Sequence, residues 1–305
     1  MNAGWREVMA SDDAGTGAFP VIICYPTREP ERQRHLGPYA ISAAWDAAPT
    51  AGEHPVIMLS HGSGSSPLAN RDLALSLARA GFVVGMPVHP GDNRDDRRLQ
   101  HTTQNLRQRP RCLQAAIDAV LGDPALFPGQ GTRDIALIGH SLGAYTALAL
   151  AGGDPRTLPE VWPDGPTEPI PVVHDPRVST LVLLAPAVIW FHAPGALDAV
   201  QVPVLMLAGA LDTVTPPQYH ADLVARRLPR QDLLEYRIVA GAGHFSFLSV
   251  FPQPMQQPAF APAQDPPGFD RAAFQVQMTA EIMKFLRKIT QEDQTDQVLA
   301  PSCPE

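Results

Sequence analysis

One stretch of the sequence decides the fold: Ile135-Ala136-Leu137-Ile138-Gly139-His140-Ser141-Leu142-Gly143-Ala144. Its apolar first half predicts a buried strand, and the residues after Ser141 are typical of a helix. A strand that turns directly into a helix needs very small residues two positions before and two after the apex, and Gly139 and Gly143 fill those positions. The stretch therefore predicts a tight turn that raises the Ser141 hydroxyl above a sheet, at the start of a helix.

A serine hydroxyl is a poor nucleophile at neutral pH, so Ser141 needs a nearby base, and that base needs a carboxylate to orient it. Asp212 follows an apolar run at residues 204–208, and His244 follows the next run, at 234–238, on a glycine-rich loop. Because the carboxyl ends of parallel strands meet at one sheet edge, we expect Ser141, Asp212 and His244 to form a catalytic triad. Weaker competitors for the acid and the base are Asp198, Asp222, His220 and His140.

A second glycine-rich loop follows the apolar run at residues 56–60 and reads His61-Gly62-Ser63-Gly64-Ser65. Its backbone can approach a substrate closely, so we expect the N–H of Ser63 and the N–H of Leu142 to form an oxyanion hole. A plain glycine-rich connection is the alternative. The loop lacks the lysine of a phosphate-binding P-loop, so phosphate binding is not predicted.

Short apolar runs alternate with helical stretches along the chain, which predicts an α/β fold with a mostly parallel, doubly wound sheet flanked by helices. The predicted strands are residues 21–25, 56–60, 83–87, 135–139, 180–184, 204–208 and 234–238. The predicted helices are 72–80, 109–121, 142–151, 217–228 and 271–288. In the last helix, an apolar stripe is expected to dock on the sheet; its members are Phe274, Met278, Ile282, Phe285 and Ile289.

Three segments interrupt the alternation. Residues 28–54 are long enough to contain an additional strand or hairpin, and residues 153–176 and 251–268 are rich in proline. Long loops of this kind are either lids over an active site or passive surface excursions. We expect one domain over residues 1–290, with 153–176 and 251–268 as candidate lids, and a polar C-terminal tail at 291–305.

The net charge of −8 and the lack of a basic run argue against nucleic acid as a partner. The arginines between Arg94 and Arg111 alternate with Asp92 and other acidic residues, which predicts a solvated, salt-bridged surface. Three widely spaced cysteines form neither a metal motif nor a closed disulfide set, so a reducing compartment is expected. Nothing implies a metal or an organic cofactor.

The first 13 residues contain no secretory signal, and no segment reaches about 18 consecutive apolar residues. We therefore expect a cytoplasmic protein without stable membrane insertion. A secreted protein whose signal had been removed would look the same. The oligomeric state is left open.

The order of these motifs resembles the α/β-hydrolase superfamily, in particular the bacterial group of dienelactone hydrolase and platelet-activating-factor acetylhydrolase. The narrower likeness rests on Phe19-Pro20-Val21-Ile22-Ile23-Cys24-Tyr25-Pro26-Thr27, on the run at residues 77–84 and on Gln108-Arg109-Pro110-Arg111, interpreted as the opening of a helix. The resemblance implies the α/β-hydrolase fold with loop excursions near the active site. Two features depart from it: dienelactone hydrolases use a cysteine where this chain has Ser141, and the proline-rich stretch after His244 matches no pattern of the acetylhydrolases.

The expected activity is cleavage of carboxylic esters of small or medium acyl groups through an acyl-enzyme, with a small-molecule ester as substrate. Thioesterase, lactonase, amidase or acyltransferase chemistry would use the same residues, and a non-catalytic scaffold that binds a ligand or partner is the alternative from another class. Four aromatic residues are candidates for the acyl pocket, although core or rim positions are equally open to them: Trp190, Phe191, Phe245 and Phe247.

Overall fold

The computed structural model describes residues 1–12, 15, 17–128, 134–160 and 165–299. Within these ranges, ten strands form one sheet: β1 (Asn2–Ser11), β2 (Ala18–Thr27), β3 (Arg32–Leu36), β4 (Tyr39–Trp45), β5 (Val56–Ser60), β6 (Val83–Pro87), β7 (Ile135–His140), β8 (Val178–Leu184), β9 (Val204–Gly209) and β10 (Leu234–Val239). The α-helices of the same ranges are α1 (Arg71–Arg79), α2 (Thr103–Leu121), α3 (Leu142–Leu150), α4 (Ala221–Arg227) and α5 (Arg271–Leu299).

The strand order is β10-β9-β8-β7-β5-β6-β2-β1-β4-β3. The six strands from β6 to β10 in this order are mutually parallel, whereas β2 joins β6, and β1 joins β2, in antiparallel fashion. All seven predicted strands fall in β2 and β5 to β10. The prediction of a mostly parallel α/β sheet is confirmed.

The N-terminal strands were only partly predicted. The hairpin of β3 and β4 lies inside residues 28–54, where an additional hairpin was expected. By contrast, β1 is not predicted, because Arg6 and Glu7 interrupt its apolar residues and leave no continuous apolar run. It is a strand because all ten of its residues pair with β2, and its inward side chains are buried, among them Trp5, which packs against Trp45 at 5.5 Å between ring centroids.

The sheet is covered on both faces, which explains the unbroken apolar runs of its parallel strands. Helices α2, α3 and α4 pack on one face, and α1 and α5 pack on the other. All nine residues of α3 are buried, because this helix lies directly behind the sheet centre. The predicted stripe of α5 docks as expected, since Phe274, Met278, Ile282 and Phe285 are all buried.

Helix α2 begins at Thr103, not at Arg109 as predicted, and it contains Pro110 in its interior. The Thr102 side chain caps the helix by accepting a hydrogen bond from the N–H of Asn105 at 3.1 Å. The predicted start at Arg109 puts Pro110 in the first turn of the helix, because a proline further inside would break the helical hydrogen bonding. Here the carbonyl left without its partner, that of Leu106, accepts instead from the Tyr145 hydroxyl at 3.1 Å.

Two other helices differ from prediction by more than one residue at an end. A short 3-10 turn, Pro217–Tyr219, precedes α4, which then begins at Ala221. Helix α5 continues to Leu299, beyond its predicted end at residue 288; of the predicted tail, residues 300–305 lie outside the described ranges. No helix in those ranges is both long and apolar enough to cross a bilayer.

Candidate active site

Ser141 lies at the sharp turn between β7 and α3 and has a strained backbone, with φ of +54° and ψ of −119°. The strain is held by close packing around it. A Cβ atom on Gly143 would collide with the carbonyl oxygen of Ser60, and one on Gly139 would collide with the backbone of Gly143. The glycines are therefore required by contact between strands and helix, and they hold the serine at the carboxyl end of the central strand.

The structure brings the three residues predicted as a triad into one hydrogen-bonded line. The Ser141 hydroxyl lies 3.0 Å from His244 Nε2, and His244 Nδ1 lies 2.8 Å from Asp212 Oδ2. His244 and Asp212 are both about 95% buried. Since Nδ1 donates its proton to the carboxylate, Nε2 is free to accept the proton of Ser141.

A tight turn after β9 fixes the Asp212 carboxylate. Asp212 Oδ1 accepts hydrogen bonds from the N–H groups of Val214 and Thr215, at 2.9 and 2.7 Å, and Oδ2 accepts from the Thr215 hydroxyl at 2.8 Å. That hydroxyl also lies 3.0 Å from His244 Nδ1. Burial raises the pKa of Asp212, but the hydrogen bond and charge of His244, followed by the Thr215 hydrogen bonds, bring the pKa below its ordinary value.

The loop after β5 lies directly beside the serine: a Cβ on Gly62 would stand 3.2 Å from the Cβ of Ser141. The two N–H groups predicted as oxyanion donors belong to Ser63, on this loop, and to Leu142, at the first turn of α3. Within the described part of the chain, neither N–H has a protein acceptor. Neither N–H therefore has a partner in these residues that would compete with a ligand oxygen.

A buried ion pair holds this loop in place. Asp92 Oδ1 accepts from the Ser63 hydroxyl and from the N–H of Gly64, both at 2.8 Å, while Oδ2 accepts from Arg109 Nη1 at 2.7 Å. Arg109 also donates to the carbonyl oxygen of His61. The prediction of a solvated surface is therefore wrong for Asp92 and Arg109. Both side chains are buried beneath the loop, where the Arg109 guanidinium bonds to the Asp92 carboxylate and to the His61 carbonyl.

His140 holds the loop that carries His244 through a hydrogen bond to its backbone. Its Nε2 donates to the carbonyl oxygen of His244 at 3.1 Å, and the two rings lie 5.2 Å apart. Burial lowers the pKa of His140 to about 3, followed by a smaller effect of the His244 charge. His140 is therefore neutral at pH 7 and bonded to the backbone of the base.

Two chambers meet at Ser141, which lines both of them. One, of about 310 Å³, is closed by the proline-rich segment 251–268, and we call it the proline-side chamber; it is lined by His244, Phe245, Phe251, Met255, Phe260 and the loop after β5. The other, of about 540 Å³, is bounded by residues of segment 153–176, and we call it the Trp190 chamber; it is lined by Leu106, Leu142, Leu158, Ile170, Trp190 and His220, among others.

The four aromatic residues proposed for a pocket separate into two groups. Trp190 lines the Trp190 chamber, and Phe245 lines the proline-side chamber. Phe191 and Phe247 are fully buried in the core, where Phe191 stacks on Tyr145 and Phe247 packs edge-on against Phe274.

The proline-rich segment is fastened to the loop that carries His244. Asp265 accepts hydrogen bonds from the Ser246 hydroxyl at 2.8 Å and from Arg271 Nε at 2.8 Å. Ser246 Oγ in turn accepts from the N–H of Gly243, the residue before the histidine. Arg271 reaches further into the segment and donates to the carbonyl of Pro262 at 2.8 Å. This wall of the proline-side chamber therefore has a fixed position relative to His244.

Sequence reasoning missed Thr215, Arg109 and Asp92. Thr215 had a local signal, since an aspartate followed by a threonine three positions later is typical of a turn in which the carboxylate accepts backbone N–H bonds. Arg109 and Asp92 had none, because nothing local shows that they are buried. Among the described residues, no three His, Cys, Asp or Glu side chains gather as a metal ion would require.

Comparison with known proteins bears on the fold. No protein-family model matches the chain, and no curated protein matches it. Among solved structures, it is similar to a ferulic acid esterase from Streptomyces cinnamoneus, with a TM-score of 0.68 and 19% sequence identity over 94% of this chain and 89% of that chain. Together with the topology of the sheet, this likeness shows that the chain has the α/β-hydrolase fold.

Proposed function

We propose that the protein is a serine hydrolase that cleaves carboxylic esters of small or medium acyl groups through an acyl-enzyme. The observation that carries the proposal is the continuous hydrogen-bonded line from Asp212 through His244 to Ser141, at distances of 2.8 and 3.0 Å. It ends beside two backbone N–H groups with no protein acceptor among the described residues. This combination supplies an activated nucleophile and a site for the negative charge that develops on an ester carbonyl.

In the proposed reaction, Ser141 Oγ attacks the carbonyl carbon while His244 Nε2 takes its proton. The N–H groups of Ser63 and Leu142 stabilise the oxyanion. His244 then gives the proton to the leaving alcohol oxygen, the carbon–oxygen bond breaks, and the acyl group stays on Ser141. Water repeats these steps in the second half, with His244 as base, and releases the acid. Asp212 keeps the His244 ring oriented and stabilises its charged form.

Two further observations support an ester as the substrate. The similar solved structure is named as an esterase, and its likeness covers nearly the whole of both chains. The chambers of about 310 and 540 Å³ are of the size that binds small molecules. The narrower sequence resemblance, to the group of dienelactone hydrolase and platelet-activating-factor acetylhydrolase, belongs to the same proposal.

The test is hydrolysis of p-nitrophenyl acetate and butyrate by the wild type and by Ser141→Ala. We expect turnover by the wild type and a loss of several orders of magnitude in kcat for the variant. A fluorophosphonate should label Ser141 in the wild type. An inert wild type with an unlabelled serine would instead indicate a non-catalytic scaffold, and an unchanged rate for Ser141→Ala would reject the assigned nucleophile.

The same residues would serve a thioesterase, lactonase, amidase or acyltransferase. Matched thioester, lactone and anilide substrates with one acyl group, with and without an added alcohol acceptor, therefore belong in the assay. We propose that the carboxylic ester has the highest kcat/KM of this set. A higher kcat/KM for another acyl donor, or a preference for alcohol over water, would replace ester hydrolysis by that reaction.

We further propose that the protein acts on small molecules in the cytoplasm and has neither nucleic acid nor membrane as a partner. The net charge of −8 supports the exclusion of nucleic acid. The buried thiols of Cys24 and Cys112, which are unpaired, support a reducing compartment. Cell fractionation tests the location.

A further inference from the structure

We propose that the Trp190 chamber holds the acyl part of the ester and the proline-side chamber its alcohol part, and that His220 selects uncharged acyl groups bearing an oxygen acceptor. The inference rests on the proposed function and deepens it, because it names what each side of the cleft recognises.

The position of His244 sets the direction of the leaving group. The tetrahedral carbon carries Ser141 Oγ, the oxyanion, the acyl chain and the alcohol oxygen, and the alcohol oxygen must receive its proton from His244. Ser141 lines both chambers, but His244 lines the proline-side chamber. The alcohol therefore leaves toward the proline-side chamber, and the acyl chain extends into the Trp190 chamber.

The two chambers differ in the charge of their lining residues. Arg94 and Arg97 line the proline-side chamber, whereas the described lining of the Trp190 chamber contains no Asp, Glu, Lys or Arg. A charged acyl group would lose its hydration there without gaining an ion pair. The apolar side chains of Leu106, Ile170 and Trp190 instead fit an uncharged chain or ring.

His220 is buried at the start of α4 and lines the Trp190 chamber. Its Nδ1 accepts a hydrogen bond from the N–H of Val188 at 3.1 Å. Burial lowers the pKa of His220 to about 4, so at pH 7 the ring carries one proton, and that proton is on Nε2. Among the described residues, this N–H has no protein acceptor. It is a fixed donor available to an oxygen on the acyl group.

The test of His220 uses two pairs of p-nitrophenyl esters with acyl chains of equal length. 4-Oxopentanoate has a carbonyl where pentanoate has a methylene, and methoxyacetate has an ether oxygen where butyrate has a methylene. His220→Asn keeps an acceptor for the N–H of Val188 but lacks the distal donor. For at least one pair, we expect it to lower the ratio of kcat/KM, oxygenated over plain, by about 3- to 10-fold relative to the wild type. His220→Gln, which carries a distal N–H, should restore part of that ratio. Unchanged ratios in both pairs would overturn the role of His220.

The test of the two chambers compares Leu158→Ala with Phe260→Ala. Leu158 is 42% exposed in the Trp190 chamber and Phe260 is partly exposed in the proline-side chamber, so both variants should fold. We expect Leu158→Ala to change selectivity by about 2-fold or more along a series of p-nitrophenyl acyl esters. Phe260→Ala should lower the preference for 1-naphthyl over methyl acetate by about 5-fold.

The opposite pattern, in which Leu158→Ala changes alcohol selectivity and Phe260→Ala changes acyl selectivity, overturns the chamber assignment while leaving the proposed function intact. Absence of any turnover by the wild type overturns the proposed function, and the inference with it. The two failures are thus distinguishable in one set of assays.

Discussion

Arg109 Nη1 lies 2.7 Å from Asp92 Oδ2, and both side chains are at least 99% buried. Each partner also binds the loop after β5: Asp92 through the Ser63 hydroxyl and the N–H of Gly64, and Arg109 through the carbonyl of His61. Burial raises the pKa of Asp92, but the Arg109 charge and hydrogen bonds from Asn105, Ser63 and Gly64 bring it below its ordinary value. The pair therefore positions the proposed oxyanion hole.

Asp92→Asn should reduce the free energy of unfolding by about 3–5 kcal/mol, because it leaves the Arg109 charge buried without a partner. Asp92→Asn/Arg109→Met should recover part of that loss, since no unpaired charge is left. Urea unfolding of the wild type, the two single variants and the double variant measures this coupling. A double variant whose loss equals the sum of the two single losses would contradict it.

Ser63→Ala tests the same loop while keeping the ion pair. It removes the hydrogen bond from the Ser63 hydroxyl to Asp92 but leaves the backbone N–H in place. We expect kcat/KM to fall by about 3- to 10-fold and the free energy of unfolding to fall by about 1.5–3 kcal/mol, because the Ser63 hydroxyl no longer donates to the buried Asp92 carboxylate. A fall in stability without a fall in kcat/KM would assign the hydroxyl a structural role alone.

Asp212→Asn should lower kcat on the order of 10⁴-fold, because the amide no longer holds the His244 ring in the required tautomer. Thr215→Val keeps the carboxylate and the Thr215 N–H position but removes the hydroxyl between Asp212 and His244. Its kcat should fall by about 10-fold, the effect of one hydrogen bond. Steady-state kinetics on p-nitrophenyl acetate checks both, and equal losses for the two variants would contradict this ranking.

Tyr145→Phe should destabilise the protein by about 1–3 kcal/mol, because the buried Leu106 carbonyl loses the hydroxyl that donates to it. Pro110→Ala supplies a backbone N–H that can bond to the same carbonyl in the ordinary helical pattern. In the Pro110→Ala background, Tyr145→Phe should therefore cost less. Thermal unfolding of the four proteins measures the difference, and an equal cost in both backgrounds would show that the carbonyl is not the common partner.

Four buried histidines predict loss of stability in mild acid. Burial lowers the pKa of His61 and His140 to about 3 and of His220 to about 4, and it lowers the pKa of His89 well below its ordinary value. In the unfolded chain each pKa is near 6.5. Between about pH 6.5 and 4, the unfolded state therefore binds more protons, so this stabilisation is complete above pH 6.5 and is lost as the pH falls.

The expected slope is up to about 1.4 kcal/mol per histidine per pH unit. Urea unfolding at pH 8, 7, 6 and 5 should give a nearly constant free energy at the first two values and a falling one below. The ring-proton resonances of these histidines should not titrate in the folded protein over the same range. A free energy of unfolding that stays constant down to pH 5 would contradict the prediction.

The sequence by itself determined the parallel strands of the sheet and its central turn. Apolar runs without alternation indicated strands covered on both faces, and seven of them are strands of the sheet. Gly139 and Gly143 indicated the tight turn at Ser141, because a strand that turns directly into a helix leaves no room for a side chain at those two positions. The proximity of Ser141, Asp212 and His244 could be predicted, because the carboxyl ends of parallel strands meet at one edge of the sheet.

Only the tertiary structure decided which polar groups are buried and which groups form their hydrogen bonds and ion pairs. β1 is a strand through its pairing with β2, Pro110 is tolerated through the Tyr145 hydroxyl, and Asp92 meets Arg109 beneath a loop from elsewhere in the chain. Small residues on either side of a tight turn are visible in the sequence, so the turn can be deduced from them. A hydrogen bond or ion pair across the core depends on which distant segment lies opposite, and that is settled when the chain packs.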